Sequence, residues 1–381
     1  MLGAVPAAAA RRGAAHTLPP VDHAFGRGGS LALGVEEELL LVDPRTLALD
    51  HRVSELLPRL GGLVKPDVYE AAVETASPVS RDAAQAAAAL GEVRARMRAA
   101  GATLIGCGIH PDAPFGDAPH VPGERYEAIA DSMRGFMRRT PTCALHVHVG
   151  MPDPESAVRV CNGLRSYLPV LQGLAAHSPY WHGIDSGFAS ARAQLFRGLP
   201  RAVIPPAFAG WADYEAHVES WLAAGDAPDY TYLWWDVRPH PRLGTVELRA
   251  MDAQARLGAV AGLAALVHGL AIALLDGRAA PHSPPPGPEI VEGSYRAGRD
   301  GLETTLRWDG AMRPLRVLAS EALGHARAAL RERGADGALD EVERILREGN
   351  GADRMRAAHA RGGMRAVLEG LVEEAAQAGW G

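Results

Sequence analysis

Two kinds of spacing organise the apolar positions of this chain. In SLALGVEEELLLV (30–42), CALHVHVG (143–150), YLWWDVRP (232–239) and GTVELRAMD (244–252), polar residues recur every second position among apolar ones, the period of a β-strand. Segments 53–60, 81–100, 126–139, 155–176 and 254–276 instead show helical spacing or unbroken helix-forming composition; Gly101 supplies the stop of the second. TLIGCGIHP (103–111) reads as a buried strand running into a turn. Pro, Gly and Trp make the stretch up to about Asp229 loop-rich, and the proline-dense segment 280–290 reads as an exposed loop. From Tyr295 to Gln377 the chain reads as helical and charged, and no internal repeat is visible. Strands interleaved with helices predict a single α+β domain over 29–381, preceded by a disordered Ala/Arg/Pro-rich tail, 1–28.

Alternation also says which side chains share a face. Glu36 and Glu38 point one way, while Val35, Glu37 and Leu39 point the other. His146 shares a face with His148, Glu247 with Arg249, and Trp234 with Asp236 and Arg238. Buried carboxylates cost several kcal/mol unless compensated, and several of them converging on one site repel one another. Cations must neutralise them, and oxygen-rich ligation with an imidazole suits Mg2+ or Mn2+ better than zinc. Arginines among such carboxylates point to an anionic, phosphate-bearing substrate. Each signal alone has a plain structural explanation. An HxH pair is more often structural than a ligand pair, Glu247 and Arg249 could be an ion-pair ladder, and one of Trp234 and Trp235 belongs to the core. Joint occurrence on four strands shifts the balance to a functional face.

Composition narrows the classes. At 381 residues, 47% hydrophobic and 22% charged, the chain can bury a sizeable core, and a net charge of -6 gives no reason to expect nucleic acid. Of the 39 Lys and Arg residues, Lys65 is the one lysine, in a sequence without a P-loop motif, so anion binding falls to arginine. Three scattered cysteines without a CxxC pair fit a reducing, cytoplasmic setting. The most apolar stretch, 257–275, contains His268 and repeated Gly and Ala, which suits a packed helix better than a membrane span.

With these residues assembled, the chain resembles the second type of glutamate–cysteine ligase, the carboxylate–amine ligases. The resemblance rests on GVEEELLLVDP (34–44), PDVYEAAVETASPV (66–79), GCGIHP (106–111), LHVHVG (145–150), GFASARAQLF (187–196), WWDVRP (234–239), GTVELRAMD (244–252) and EGNGADRMR (348–356), in family order. It implies a glutamine-synthetase-like catalytic domain, a curved antiparallel sheet forming a half-open funnel with helices outside. It implies ATP and Mg2+ or Mn2+ as cofactors, and a γ-glutamyl acyl phosphate captured by cysteine or another amine. Glu36, Glu38, Glu74, His146 and Glu247 fall on metal-ligand positions, with Asp67 a further candidate. Arg249 and Arg238 fall on catalytic positions, and Arg192, His148 and Trp235 on substrate or ATP-binding ones. The partners implied are small molecules, with neither nucleic acid nor membrane, and a homo-oligomer stays open. Two other readings compete: a metal-dependent hydrolase using the HxH pair, and a nucleotide-binding pseudoenzyme of the same fold.

Overall fold

LGVEEELLL hydrogen-bonds along both edges, and the sheet grows outward from it. The computed structural model describes residues 22–379 apart from 30, 226 and 378. Its strands are β1 (Leu33–Leu41), β2 (Val64–Pro66), β3 (Ala72–Ala76), β4 (Leu104–Ile105), β5 (Ala144–Gly150), β6 (Tyr180–Trp181), β7 (Ile184–Asp185), β8 (Val237–His240), β9 (Thr245–Asp252), β10 (Thr305–Trp308) and β11 (Ala311–Pro314). Its α-helices are α1 (Val53–Leu60), α2 (Ala83–Ala99), α3 (Glu124–Met133), α4 (Pro154–Ala175), α5 (Ala191–Phe196), α6 (Trp211–Ala224), α7 (Leu257–Leu275), α8 (Gly287–Asp300), α9 (Leu315–Arg331), α10 (Asp340–Glu348) and α11 (Gly351–Ala376). The main sheet runs β2-β3-β1-β5-β9-β8, with β4 also beside β1. All of its pairings are antiparallel, and it stays open rather than closing into a barrel.

Alternation gives this sheet one apolar face. Val35, Val147, Val149, Val246 and Leu248 turn away from the functional side and pack into one core with α2, α4 and α7. Helix α7 is long and apolar enough to cross a membrane, yet it lies wholly buried, covered in turn by α9 and α10. Local signals start the covering helices: Asp82 caps α2 by accepting from the Gln85 amide, and Asp153 caps α4 by accepting from that of Ser156. Asn350 and Asp353 form a reciprocal capping box at α11. The expected architecture, helices outside an open antiparallel sheet, is the one observed.

Glu37, on the apolar face, is 1% exposed and meets Arg94 of α2, which is fully buried. Arg94 donates to both carboxylate oxygens at 2.9 and 2.6 Å and to the backbone carbonyls of Gln254 and Ala255.

Several expectations need correction. The stretch read as loop contains α6, whose Trp211, Tyr214, Val218, Trp221 and Leu222 make a helical stripe hidden behind the Pro- and Gly-rich lead-in. The proline loop is shorter than expected, since residues 287–290 already belong to α8, with Pro in its first turn. The helical C-terminal part holds the hairpin β10–β11, whose Leu306 and Trp308 are buried. The tail ends earlier than residue 28: Phe25 is buried edge-on against Trp211, while residues 1–21 lie outside the described residues.

Candidate active site

Strand register gathers the predicted side chains. Across the sheet Glu38 faces Glu74, Glu36 faces His146, His148 faces Glu247, and Glu247 faces Arg238. All seven, with Asp67, Arg192 and Arg249, border a cavity of about 350 Å³ on the polar side of the sheet.

One irregularity reshapes this face. Leu145 pairs with Met251 but Val147 pairs with Leu248, so His146 opposes both Arg249 and Ala250 in a β-bulge. The extra residue reverses the alternation at the end of β9. Strict alternation would bring Met251 beside Glu247 and Arg249; instead Met251 joins the core and Asp252 turns the other way. There the buried Asp252 carboxylate accepts hydrogen bonds from Ser178 Oγ (2.7 Å), Ser190 Oγ (2.9 Å) and the His177 amide (2.9 Å). It also lies 3.8 Å from Arg192 Nη1. Gly108 of the GCGIHP motif makes room for it, since a Cβ at that position would sit 2.7 Å from Asp252 Cγ.

Glu36, His148 and Glu247 present donor atoms that all lie within 4.8 Å of one another. His148 Nε2 lies 3.5 Å from Glu36 Oε2 and 3.9 Å from Glu247 Oε1, and its Nδ1 is 3.0 Å from Thr245 Oγ1. His146 sits between Glu36 (3.4 Å) and Glu38 (3.7 Å). Burial would raise Glu36, but hydrogen bonds and charge from His146 and His148 hold it well below the carboxylate range. Burial of Glu247 is likewise outweighed by Arg238 and Arg249, and its carboxyl is held low. Toward β3 the balance reverses. Burial and the neighbouring Asp67 push Glu38 well up, burial raises Asp67 to about 6, and burial with Glu36 and Asp67 raises Glu74 to about 7. Burial, then Arg249, lowers His146 to about 4.

This donor set fits a hard divalent cation. It combines carboxylate oxygens with one imidazole and leaves His148 Nε2 buried without a hydrogen-bond partner. Arg192 Nε and Arg249 Nε are also buried and unpartnered, so the same cavity holds donors for an anion.

A family model described as glutamate–cysteine ligase family 2 matches residues 32–370. The chain belongs to that family. Its members are carboxylate–amine ligases, which form amide bonds. A Halobacterium salinarum glutamate–cysteine ligase is 38% identical over 300 residues, covering 74% of this chain and 82% of that protein. A Rubrobacter xylanophilus protein that carries the name glutamate–cysteine ligase 2-3 provisionally is 39% identical over 365 residues, 92% of this chain and 99% of its own length. Among solved structures, a Francisella tularensis glutamate–cysteine ligase in complex with AMP superposes with a TM-score of 0.65 at 14% identity, over 93% of this chain and 90% of that one. A bifunctional glutathione synthetase from Pasteurella multocida gives 0.66 at 13% identity, over 91% of this chain and 52% of that longer one. At such identities these likenesses establish the shared fold.

The structure places three of the predicted residues differently from that reading. His148, read as a substrate-side residue, is the imidazole grouped with Glu36 and Glu247, whereas His146, read as a ligand, lies outside that group. Arg238, read as catalytic, is engaged already: Nε donates to Glu247 at 2.7 Å and Nη1 to the carbonyls of Tyr230, Thr231 and Leu233. It positions Glu247. Trp235, read as substrate-binding, is 1% exposed and stacked on Phe208 in the core; its neighbour Trp234 borders the cavity, whereas Asp236, read as sharing the face of Trp234 and Arg238, lies before β8 begins and is buried against Arg197. Sequence reasoning missed Asp252 and Arg125. The first was hidden by the bulge; the second, in the opening turn of α3, had only its helix N-terminus as a signal.

Proposed function

We propose that this ligase is ATP-dependent, requires Mg2+ or Mn2+, and joins the γ-carboxylate of glutamate to cysteine or another amine. One observation carries the reading: Glu36, His148 and Glu247 converge in a cavity also lined by Arg192 and Arg249, whose Nε atoms are buried without partners while Arg249 Nη1 pairs with Glu247. A carboxylate resists attack by an amine because its own oxygen is a poor leaving group. Attack of that carboxylate on the γ-phosphorus of ATP expels ADP and gives an acyl phosphate. The amine then forms the C–N bond, phosphate departs, and the amine gives up its proton.

A divalent cation held by Glu36, His148 and Glu247, with Glu38, Glu74 and His146 beside them, would supply charge neutralisation for the polyphosphate. Arg249 and Arg192 donate charge-assisted hydrogen bonds to phosphoryl oxygens. Arg238 keeps Glu247 in place through its fork of bonds. The enclosed sheet face limits water, which would otherwise hydrolyse the activated acyl group.

The test is ADP release by purified protein with Mg-ATP and glutamate across a panel of amines that includes cysteine. ADP that forms only when glutamate and one amine are both present supports the reading and identifies the acceptor. Turnover with another carboxylate keeps the ligase chemistry and discards glutamate. Nucleotide binding without turnover in any combination overturns the proposal in favour of a pseudoenzyme.

A further inference from the structure

Helix α5, which brings Arg192 to the cavity, is too short to hold itself. Its six residues fall well below the length at which an isolated helix persists, so contacts at its ends fix its place. At the C-terminal end Arg197 pairs with the buried Asp236 carboxylate, Nη1 donating at 2.9 Å. At the N-terminal end the first turn hangs on two serines. Ser190 caps the helix by accepting from the Ala193 amide at 3.1 Å, and Ser178 Oγ accepts the Arg192 amide at 3.2 Å. Each hydroxyl has one proton to give, and both face Asp252: Ser178 Oγ lies 2.7 Å from Oδ2 and Ser190 Oγ 2.9 Å from Oδ1. A carboxylate only accepts, so it turns both protons inward and leaves both oxygen lone pairs for the amides of α5.

Asp252 reaches the other end of the same residue as well. Its Oδ1 stands 3.8 Å from Arg192 Nη1, near enough for attraction but beyond hydrogen-bond distance. The guanidinium is thus held by charge without giving up an N–H group to its holder. Arg238 is the contrast, since Glu247 and three carbonyls take its donors. We propose that Asp252 is the positioning residue for Arg192: through Ser178 and Ser190 it fixes the first turn of α5, and directly it steadies the guanidinium that faces the phosphoryl group. Asp252 itself touches no substrate. The inference rests on the ligase reading above, in which Arg192 donates to phosphoryl oxygens.

Asp252→Asn keeps the size and removes the charge. Its amide has one accepting and one donating end, so one serine loses the acceptor for its proton and Arg192 loses its anion. We expect kcat for ADP formation to fall about tenfold or more, while KM for Mg-ATP rises about fivefold or less. The deciding comparison repeats the change in an Arg192→Gln background. There the same substitution should alter kcat by less than about twofold, because nothing is left to position. A protein that forms no ADP with glutamate and any amine counts against the ligase reading, not against this role.

A second readout does not need turnover. Calorimetric affinity for the β,γ-imido analogue of ATP with Mg2+ should weaken about fivefold in Asp252→Asn and less than about twofold when Arg192→Gln is already present. Urea midpoints report the folding of each variant. If Asp252→Asn does not fold, the pair Ser178→Ala/Ser190→Ala, which cuts the links to α5 and spares the carboxylate, carries the same comparison. Equal losses with and without the Arg192 guanidinium would make Asp252 a stabilising residue only and overturn the proposal. Full kcat together with full analogue affinity in Asp252→Asn would overturn it too.

Discussion

Replacing Arg94 by Met tests the physical account of the three consecutive glutamates. Glu36 and Glu38 face the cavity, but Glu37 faces the core, and both it and Arg94 are essentially inaccessible to water. Losing the guanidinium strands a buried carboxylate, a change that costs about 3–5 kcal/mol when one partner of a buried pair is removed. It also frees the carbonyls of Gln254 and Ala255, at about 1–3 kcal/mol each if they stay dry. Some water will follow, so we expect about 4 kcal/mol for Arg94→Met, within the range for broken buried pairs. Glu37→Gln keeps an acceptor for Arg94 and should cost about 2 kcal/mol. In the double variant Glu37→Leu/Arg94→Met both charges are gone, and it should be more stable than Arg94→Met alone by about 2 kcal/mol. Urea denaturation followed by tryptophan fluorescence gives each value from the midpoint shift at constant slope. A cost below about 1 kcal/mol for Arg94→Met, or a double variant no more stable than Arg94→Met alone, would refute the argument that this pair holds β1 against α2.

The remaining expectations concern the cavity. Glu36→Gln and Glu247→Gln should fold normally and lose ADP formation by about a hundredfold or more, since each removes a charged donor from the converging group; retained turnover in both would remove the metal assignment. Arg238→Lys keeps the charge but not the planar fork, so the Mg2+ concentration for half-maximal ADP formation should rise at least about tenfold, with little change if Arg238 serves only as a charge. Asp67 and Glu74 have folded-state carboxyl pKa values raised to about 6 and about 7, above the roughly 4 expected when unfolded. Their neutral forms therefore add stability that is full below about pH 4 and is lost as pH rises through 6 to 7. Thermal scans of metal-free protein should show the melting temperature falling between about pH 4 and 7 and levelling above that, and millimolar Mg2+ should flatten the fall; an apo protein more stable at about pH 7 than at about pH 5 contradicts the reading.

Much of the site was legible because strand alternation is a local rule. A period of two is enough to put Glu36 with Glu38, His146 with His148, and Glu247 with Arg249, and the register then needs only antiparallel pairing to bring them face to face. Before β8 begins the rule fails: Asp236 shares parity with Arg238 yet is buried against Arg197 instead of facing the cavity. Helices α1, α2, α4 and α7 were likewise readable from apolar spacing and caps, whereas α6 and the β10–β11 hairpin, with weaker local signals, were not.

What the sequence determined by itself is thus the identity of the functional face and the chemistry it can support. What only the tertiary structure decided is how those groups share their partners. A bulge opposite His146 turns Asp252 toward Arg192, Arg94 arrives from a helix 57 positions away to neutralise Glu37, and Arg238 is drawn off into holding Glu247. Alternation is set by bonds between neighbours in the chain. Hydrogen bonds and ion pairs between distant segments depend on which donors the packed core brings within about 3 Å, and no local pattern encodes that.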